Sequence, residues 1–297
     1  YLSDYLPFPP YGYAESIYKV IYETIDSHGN TTIASGALAI PDSEGEYLPL
    51  ISYQHGTVLE RDAVASIYGF DIVSLWLGTS GYISAIPDYL GLGISDIFHP
   101  YIIANPSATS IIDMLRASKQ LCENLNVNLN NQLFLVGYSE GGYTTMATHK
   151  LIEEQYYDEF NITASAPCAG PYDLSGVMAD LMISGLEYDQ PYYLPYTVLA
   201  YQETYNLVED LNEYFLDEYA ESLPPLFDGY HSADEVNDAM PSIPINIFHP
   251  EVIEEFTNDM EHPLRISLSN NDLIDWSPQS PMTLYHSDED ELVPVEN

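Results

Sequence analysis

The sequence predicts an α/β protein: a mostly parallel central sheet with helices on both faces. Two observations carry this. Short buried strands alternate with segments of helical periodicity through the first 170 or so residues, the pattern of a parallel sheet covered on both sides. The stretch "LFLVGYSEGGYTTM", residues 133–146, passes from an apolar strand into a helix across a serine set between two glycines.

Taken in order, "SIYKVIYETID" and "TTIASGALAIP" are rich in β-branched and aromatic residues and alternate in part, and "SHGN" between them suits a tight turn. "LPLISYQHGT" runs from a continuous apolar stretch into His-Gly, a buried strand followed by a loop. "YISAIPDYLGLG" is another short strand, closed by a Pro, Asp and Gly cluster. In "NPSATSIIDMLRASKQLCENL", Ile111, Met114, Leu115, Leu121, Cys122 and Leu125 recur at helical spacing, with Pro106 and Ser107 placed to start the helix. "QLFLV" leads into the serine, "YTTMATHKLIEEQYY" reads as the helix after it, and "ITASAPCAG" as the next strand. Residues 172–278 change character: helical, rich in Tyr and Pro, with amphipathic pieces such as "LVEDLNEYFLDEYAESL". They read as a helical cap inserted before a last strand, although most single tyrosines there are expected only to pack. "PMTLYHSDEDELVP" then resumes strand-then-loop character. The expected organisation is a core over 1–171, a cap over 172–278 and the remainder of the core over 279–297, with the final strand and helix of the sheet outside this chain.

Composition narrows the function classes. Apolar residues make up 46% and charged residues 18%, and no run of 18 apolar residues occurs, so neither disorder nor stable membrane insertion is expected. The 46 Asp and Glu against 6 Lys and Arg leave a net charge of −40, which repels phosphate backbones and makes nucleic acid an improbable partner. Such acidity fits a saline habitat and equally fits a secreted protein kept soluble by charge. The first residue is Tyr1, not Met, an indication that something upstream was removed. Cys122 and Cys168 are too few for a disulfide framework; two free thiols are expected, with a single bridge as the alternative in an oxidising compartment. Asn30 and Asn161 fit the glycosylation pattern, which is short enough to arise by chance.

Gly137-Tyr138-Ser139-Glu140-Gly141 fits G-x-S-x-G in its required context, a strand before and a helix after. The glycines have a mechanical reason, since a side chain on either side of so sharp a corner would strike backbone. A serine hydroxyl is a poor nucleophile and needs a base, an orienting acid and donors for the oxyanion. One donor is expected from the backbone N–H of Glu140 at the positive end of the following helix. The other is expected from the loop after "YQHGT", at Thr57; His55 in that loop reads as structural. Asp290, in "SDEDELVP", is the expected acid, with Asp288 or a solvated, calcium-collecting acidic loop as competing readings. The chain order Ser, acid, His requires a histidine after Asp290, yet all eight histidines precede it. The base is therefore expected on a segment beyond Asn297, or on a separate C-terminal fragment. If neither exists, the protein is a non-catalytic relative. Asp88, in "PDYLGLG", reads as a carboxylate satisfying loop N–H groups.

"YQHGT", "PDYLGLG", "HPY", "SIIDMLRA" and "GYSEGG" occur in the order seen in the secretory lipase and esterase group of the α/β-hydrolase superfamily, which the chain resembles over residues 15–175 and again at "YHSDEDELVPVEN". The resemblance implies Ser139 as nucleophile, Asp290 as acid, and Thr57 and Glu140 as oxyanion donors. It also implies activity on small-molecule ester or lipid substrates without a metal or organic cofactor, in a secreted or periplasmic protein. Peptidase or acyltransferase chemistry shares the same acyl-enzyme. Two departures stand out: the histidine is missing, and a glutamate follows the serine where glutamine is frequent. An ionised Glu140 aimed into the site would oppose the developing negative charge, so its side chain is expected to point away or be hydrogen-bonded. The charge excess has a direct consequence: the thermal unfolding midpoint is expected to rise as NaCl is raised toward about 1 M, where the screening length falls to ~3 Å. Differential scanning calorimetry against salt checks this.

Overall fold

The computed structural model describes residues 14–43, 45–69 and 72–297. Its first two strands, β1 (Glu15–Ile25) and β2 (Thr31–Pro41), pair antiparallel along their full length, with Ile25 opposite Thr31. The turn between them is built by Asp26, whose Oδ1 accepts from the N–H groups of His28 and Asn30, while Gly29 takes φ 81°. From Tyr18 onward β1 alternates, burying Val20, Tyr22 and Thr24 and exposing the residues between, as a half-covered strand should.

The hairpin forms one edge of a mixed six-stranded sheet in the order β1-β2-β4-β3-β5-β6, where β3 is Tyr47–Gln54, β4 Ile83–Pro87, β5 Asn128–Tyr138 and β6 Ile162–Cys168. β4, β3, β5 and β6 are parallel; β2 meets β4 antiparallel. All five residues of β4 are buried, consistent with a continuous apolar run covered on both faces. Two short helices, α1 (Ala65–Tyr68) and α2 (Ile72–Thr79), precede β4. The crossover helix α3 (Ala104–Leu125) buries Ile111, Ile112, Met114, Leu115 and Cys122 against the sheet, and α4 (Glu140–Gln155) follows β5. Cys122 and Cys168 are free thiols, and burial pushes that of Cys122 up to about 11.

Helix α3 begins at Ala104, two residues before Pro106, so the proline sits in the first turn, where its missing N–H costs nothing. No local side chain caps this end. The Ala104 N–H instead donates to Oδ1 of Asn271, 167 residues away. Asn271 is itself buried; its Nδ2 donates to the Tyr205 hydroxyl and the Ser267 carbonyl, and its carbonyl accepts from the Tyr143 hydroxyl.

Residues 172–278 contain further short helices, including α5 (Ala179–Met182), α6 (Tyr193–Tyr205), α7 (Asp217–Ser222), α8 (Ala233–Asp238), α9 (Pro250–Asn258) and α10 (Pro263–Ser269). Tyrosine hydroxyls tie them to the sheet's carboxyl end: Tyr201 donates to the Ile102 carbonyl at 3.1 Å and Tyr188 to the Leu292 carbonyl at 2.7 Å. The chain then returns beside β6. Ser165 N–H bonds the Pro281 carbonyl, Thr283 N–H the Ser165 carbonyl, Tyr285 N–H the Pro167 carbonyl and Ala169 N–H the Tyr285 carbonyl, a short parallel pairing on the outer edge of the sheet. Glu153 of α4 clamps the entry to it by accepting from the N–H groups of Gln279 and Ser280. Asn271→Ala removes the side-chain bonds to Ala104, Tyr205 and Ser267 at once, and an unfolding free energy lower by roughly 1–3 kcal/mol is expected from urea denaturation.

Candidate active site

The corner between β5 and α4 is held by backbone contact at three glycines. A methyl group added to Gly137 would lie on the Gly141 carbonyl, one on Gly141 on the Gln54 carbonyl, and one on Gly142 on the Cys168 carbonyl. Only a hydrogen fits at each. The corner is thereby wedged between the carboxyl ends of β3 and β6, and Ser139 N–H donates to the Cys168 carbonyl at 2.9 Å. Ser139 is driven to φ 58° and ψ −123°, a conformation costing of order 1–3 kcal/mol in a non-glycine residue. Its carbonyl accepts from Gly142 and Tyr143, while the N–H groups of Glu140 and Gly141, at the start of α4, make none of the turn and cap hydrogen bonds.

The loop after β3 lies against this corner: a methyl group on Gly56 would be 3.6 Å from Cβ of Ser139. Thr57 follows, and its Oγ1 is 3.1 Å from the Tyr101 hydroxyl. His55 serves the loop itself, with Nδ1 2.7 Å from the Gly56 carbonyl and its ring stacked on Tyr89 at a centroid distance of 4.2 Å. Tyr89, at φ 76°, donates its hydroxyl to the His55 carbonyl. Asp88 is fully buried and accepts from Ser66 N–H and the Ser35 hydroxyl, tying the loop after β4 to α1 and β2.

Asp290 emerges at the same end of the sheet, five residues after Tyr285, which pairs with the end of β6 beside the Ser139 corner. Its Oδ1 accepts from Leu292 and Val293 N–H at 3.0 and 2.9 Å, and Oδ2 lies 3.7 Å from His286 Nε2. That imidazole nitrogen is closer to the Val293 carbonyl, at 2.7 Å, so His286 closes the loop that carries Asp290. Asp288 is exposed, Asp290 is not, and among the described residues no cluster of His, Cys, Asp or Glu could hold a metal ion. No histidine among the described residues hydrogen-bonds Ser139.

Ser139 and Glu140 open onto a cavity of about 930 Å³, its mouth included, lined mainly by apolar side chains such as Met178, Met182, Val198, Phe248 and Leu268. Val293, from the Asp290 loop, lines it too. Two further histidines stand at the site, His99 of the "HPY" motif and His262, which carries no local sequence signal. His262 lines the cavity against Tyr214 and Phe256, and burial holds its pKa below the usual histidine value, which keeps the ring neutral. His99, 41 residues before Glu140, bonds that carboxyl at 2.6 Å, which answers the question of where the glutamate side chain goes.

Comparison with known proteins finds the same fold. The family model for secretory lipases matches residues 63–186. A Legionella pneumophila protein considered a hydrolase is 32% identical, with a TM-score of 0.90 over 98% of this chain and 80% of its own. The rice cell wall degrading esterase LipA of Xanthomonas oryzae is likewise 32% identical, with a TM-score of 0.90 over 99% of this chain and 81% of its own. Candida antarctica lipase A shares the fold at 19% identity, with a TM-score of 0.71 over 95% of this chain and 67% of its own. No curated protein sequence matches. The tightness of the corner makes Gly142→Ala a sharp probe. Pushing α4 off the Cys168 carbonyl is expected to slow fluorophosphonate labelling of Ser139 by roughly 10²-fold while leaving the far-ultraviolet circular dichroism unchanged.

Proposed function

The chain belongs to the secretory lipase family of the α/β-hydrolase superfamily, and from that premise we propose that this ester-hydrolysing enzyme works through a serine acyl-enzyme. Ser139 Oγ attacks the ester carbonyl, and the oxygen of the tetrahedral intermediate is received by the N–H groups of Glu140 and Thr57. The general base is a histidine outside these 297 residues, on the same chain or on a separate C-terminal fragment, with Asp290 orienting its ring and stabilising the imidazolium. The base returns the proton to the departing alcohol, and water then releases the acid by the same steps in reverse order. Residues 172–278 are the cap, and the apolar cavity they share with the serine receives the acyl chain. Secretion goes with the family.

The observation that carries this reading is the combination at one corner: a serine held in a strained conformation beside free N–H groups of a helix start, at the wall of an apolar cavity. An apolar channel suits an acyl chain better than a peptide, and it gives no counter-charge to an anionic substrate. Hydrolysis of short and long p-nitrophenyl esters by the full-length encoded protein tests it. Ser139→Ala should abolish turnover. Asp290→Asn should lower kcat by about 10⁴-fold, the effect of losing the charge that fixes a catalytic imidazole. Unchanged turnover in the serine variant, or an encoded sequence with no histidine after Asn297, would refute the mechanism.

A further inference from the structure

Glu140 and His99 form a buried pair directly behind the corner, 2% and 5% exposed. His99 Nδ1 lies 2.6 Å from the Leu90 carbonyl, and Nε2 lies 2.6 Å from Oε1 of Glu140. A carbonyl oxygen only accepts, so Nδ1 carries a hydrogen. A bare ring nitrogen and a bare carboxylate oxygen would repel at that separation, so a second proton lies between Nε2 and Oε1. The pair is either imidazolium with carboxylate or imidazole with carboxylic acid. Both have zero net charge, and turning the ring over changes neither conclusion, because each nitrogen would still face an acceptor. Oε2 of Glu140 is buried as well.

We propose that this shared proton is a working part of the oxyanion site: it keeps the residue whose N–H receives the reacting oxygen free of net charge, and its loss under alkaline conditions ends catalysis. The inference rests on the serine reading above. Once the proton has gone, a buried carboxylate charge stands beside the point where the intermediate's negative charge must form, and like charges in so dry a place are costly. The glutamate is then no obstacle in the protonated pair and an inhibitor in the deprotonated one. It acts through the field at the N–H group and is a positioning residue in its side chain.

The groups facing the pair are mostly phenols. Tyr89, Tyr101 and Tyr196 surround the His99 ring, and Tyr192 and Tyr193 stand toward Glu140. Burial raises all five phenols above their ordinary value, so they stay neutral through the ordinary working range. His55 lies beyond Tyr89. On its outer side His99 borders one small cleft with Arg61 and Asp228 and another with Asp26, His28 and Glu203. Arg61 is engaged by Asp96 at 2.9 Å.

Two variants of the full-length protein separate this role from a structural one. Glu140→Gln puts an amide where the acid was: its NH₂ donates to the bare Nε2 of a neutral His99, and no proton remains to be lost. The alkaline limb of kcat/KM is expected to move up by about one pH unit or more, whatever the absolute rate. His99→Gln leaves the carboxyl with a partner that cannot share a proton, and the limb is expected to move toward acid. Proton NMR of ¹⁵N-histidine-labelled protein should show a strongly downfield signal between His99 and Glu140 that fades in step with activity and is missing from the Glu140→Gln variant. An alkaline limb unmoved by Glu140→Gln, in an enzyme that otherwise turns over, would overturn this inference alone. A wild-type protein that hydrolyses no ester at any pH, with the downfield signal intact, would instead overturn the reading of Ser139.

Discussion

A carbonyl oxygen in contact with backbone leaves room for a hydrogen and none for a methyl group, and the architecture around Ser139 depends on that difference at three points. Gly137, Gly141 and Gly142 let the corner between β5 and α4 rest against the carbonyls of Gly141, Gln54 and Cys168. That contact fixes the start of α4, brings the Gly56-Thr57 loop to the serine and anchors Ser139 to the end of β6. The same end of β6 receives the strand leading to Asp290. The proposed nucleophile, oxyanion loop and acid loop are thus positioned by one backbone junction rather than by three separate ones. The strain in Ser139 is sustained because the junction is over-determined: parallel strands lie on both sides of β5, and α4 is buried along most of its length.

Charge is handled by pairing. A chain with 40 excess negative charges places very few basic groups, and those that matter are engaged: Arg61 with Asp96, Arg116 with Asp113 and Glu159. At the site itself no Lys or Arg is spent. Glu140 is paired with His99 and the cavity beside it is apolar, so in the proposed reaction the field at the oxyanion position comes from helix and loop N–H groups. A site built from backbone dipoles in a dry wall is little affected by the salt that screens the acidic surface, because buried interactions lie outside the reach of counter-ions.

Much of the sheet could be read from the chain in advance, for local reasons. The β1–β2 hairpin, β3 and β4 follow from alternation, apolar runs and turn residues, and the β5–Ser139–α4 corner from glycine spacing between a strand and a helix. What could not be read lies in contacts between residues far apart. The start of α3 is set by Asn271, which no residue near Ala104 announces. The antiparallel join of β2 to β4 makes the sheet mixed, a matter of which strand reaches which edge. His99 gives no local sign of pairing with Glu140, because "HPY" and "GYSEGG" only meet once β4 and β5 are in place in the sheet. The expectation that Glu140 be hydrogen-bonded came from electrostatics alone; the partner came from the fold.

The central claim is that the Ser139 hydroxyl takes an acyl group under the N–H groups of Glu140 and Thr57. A crystal structure of the full-length protein after reaction with a long-chain alkyl phosphonate tests it most directly. The account predicts phosphorus bonded to Ser139 Oγ, the phosphoryl oxygen about 3 Å from both N–H groups, and the alkyl chain between Met178, Val198 and Phe248. A phosphonate bonded elsewhere, or one on Ser139 whose oxygen turns away from both N–H groups, would contradict it.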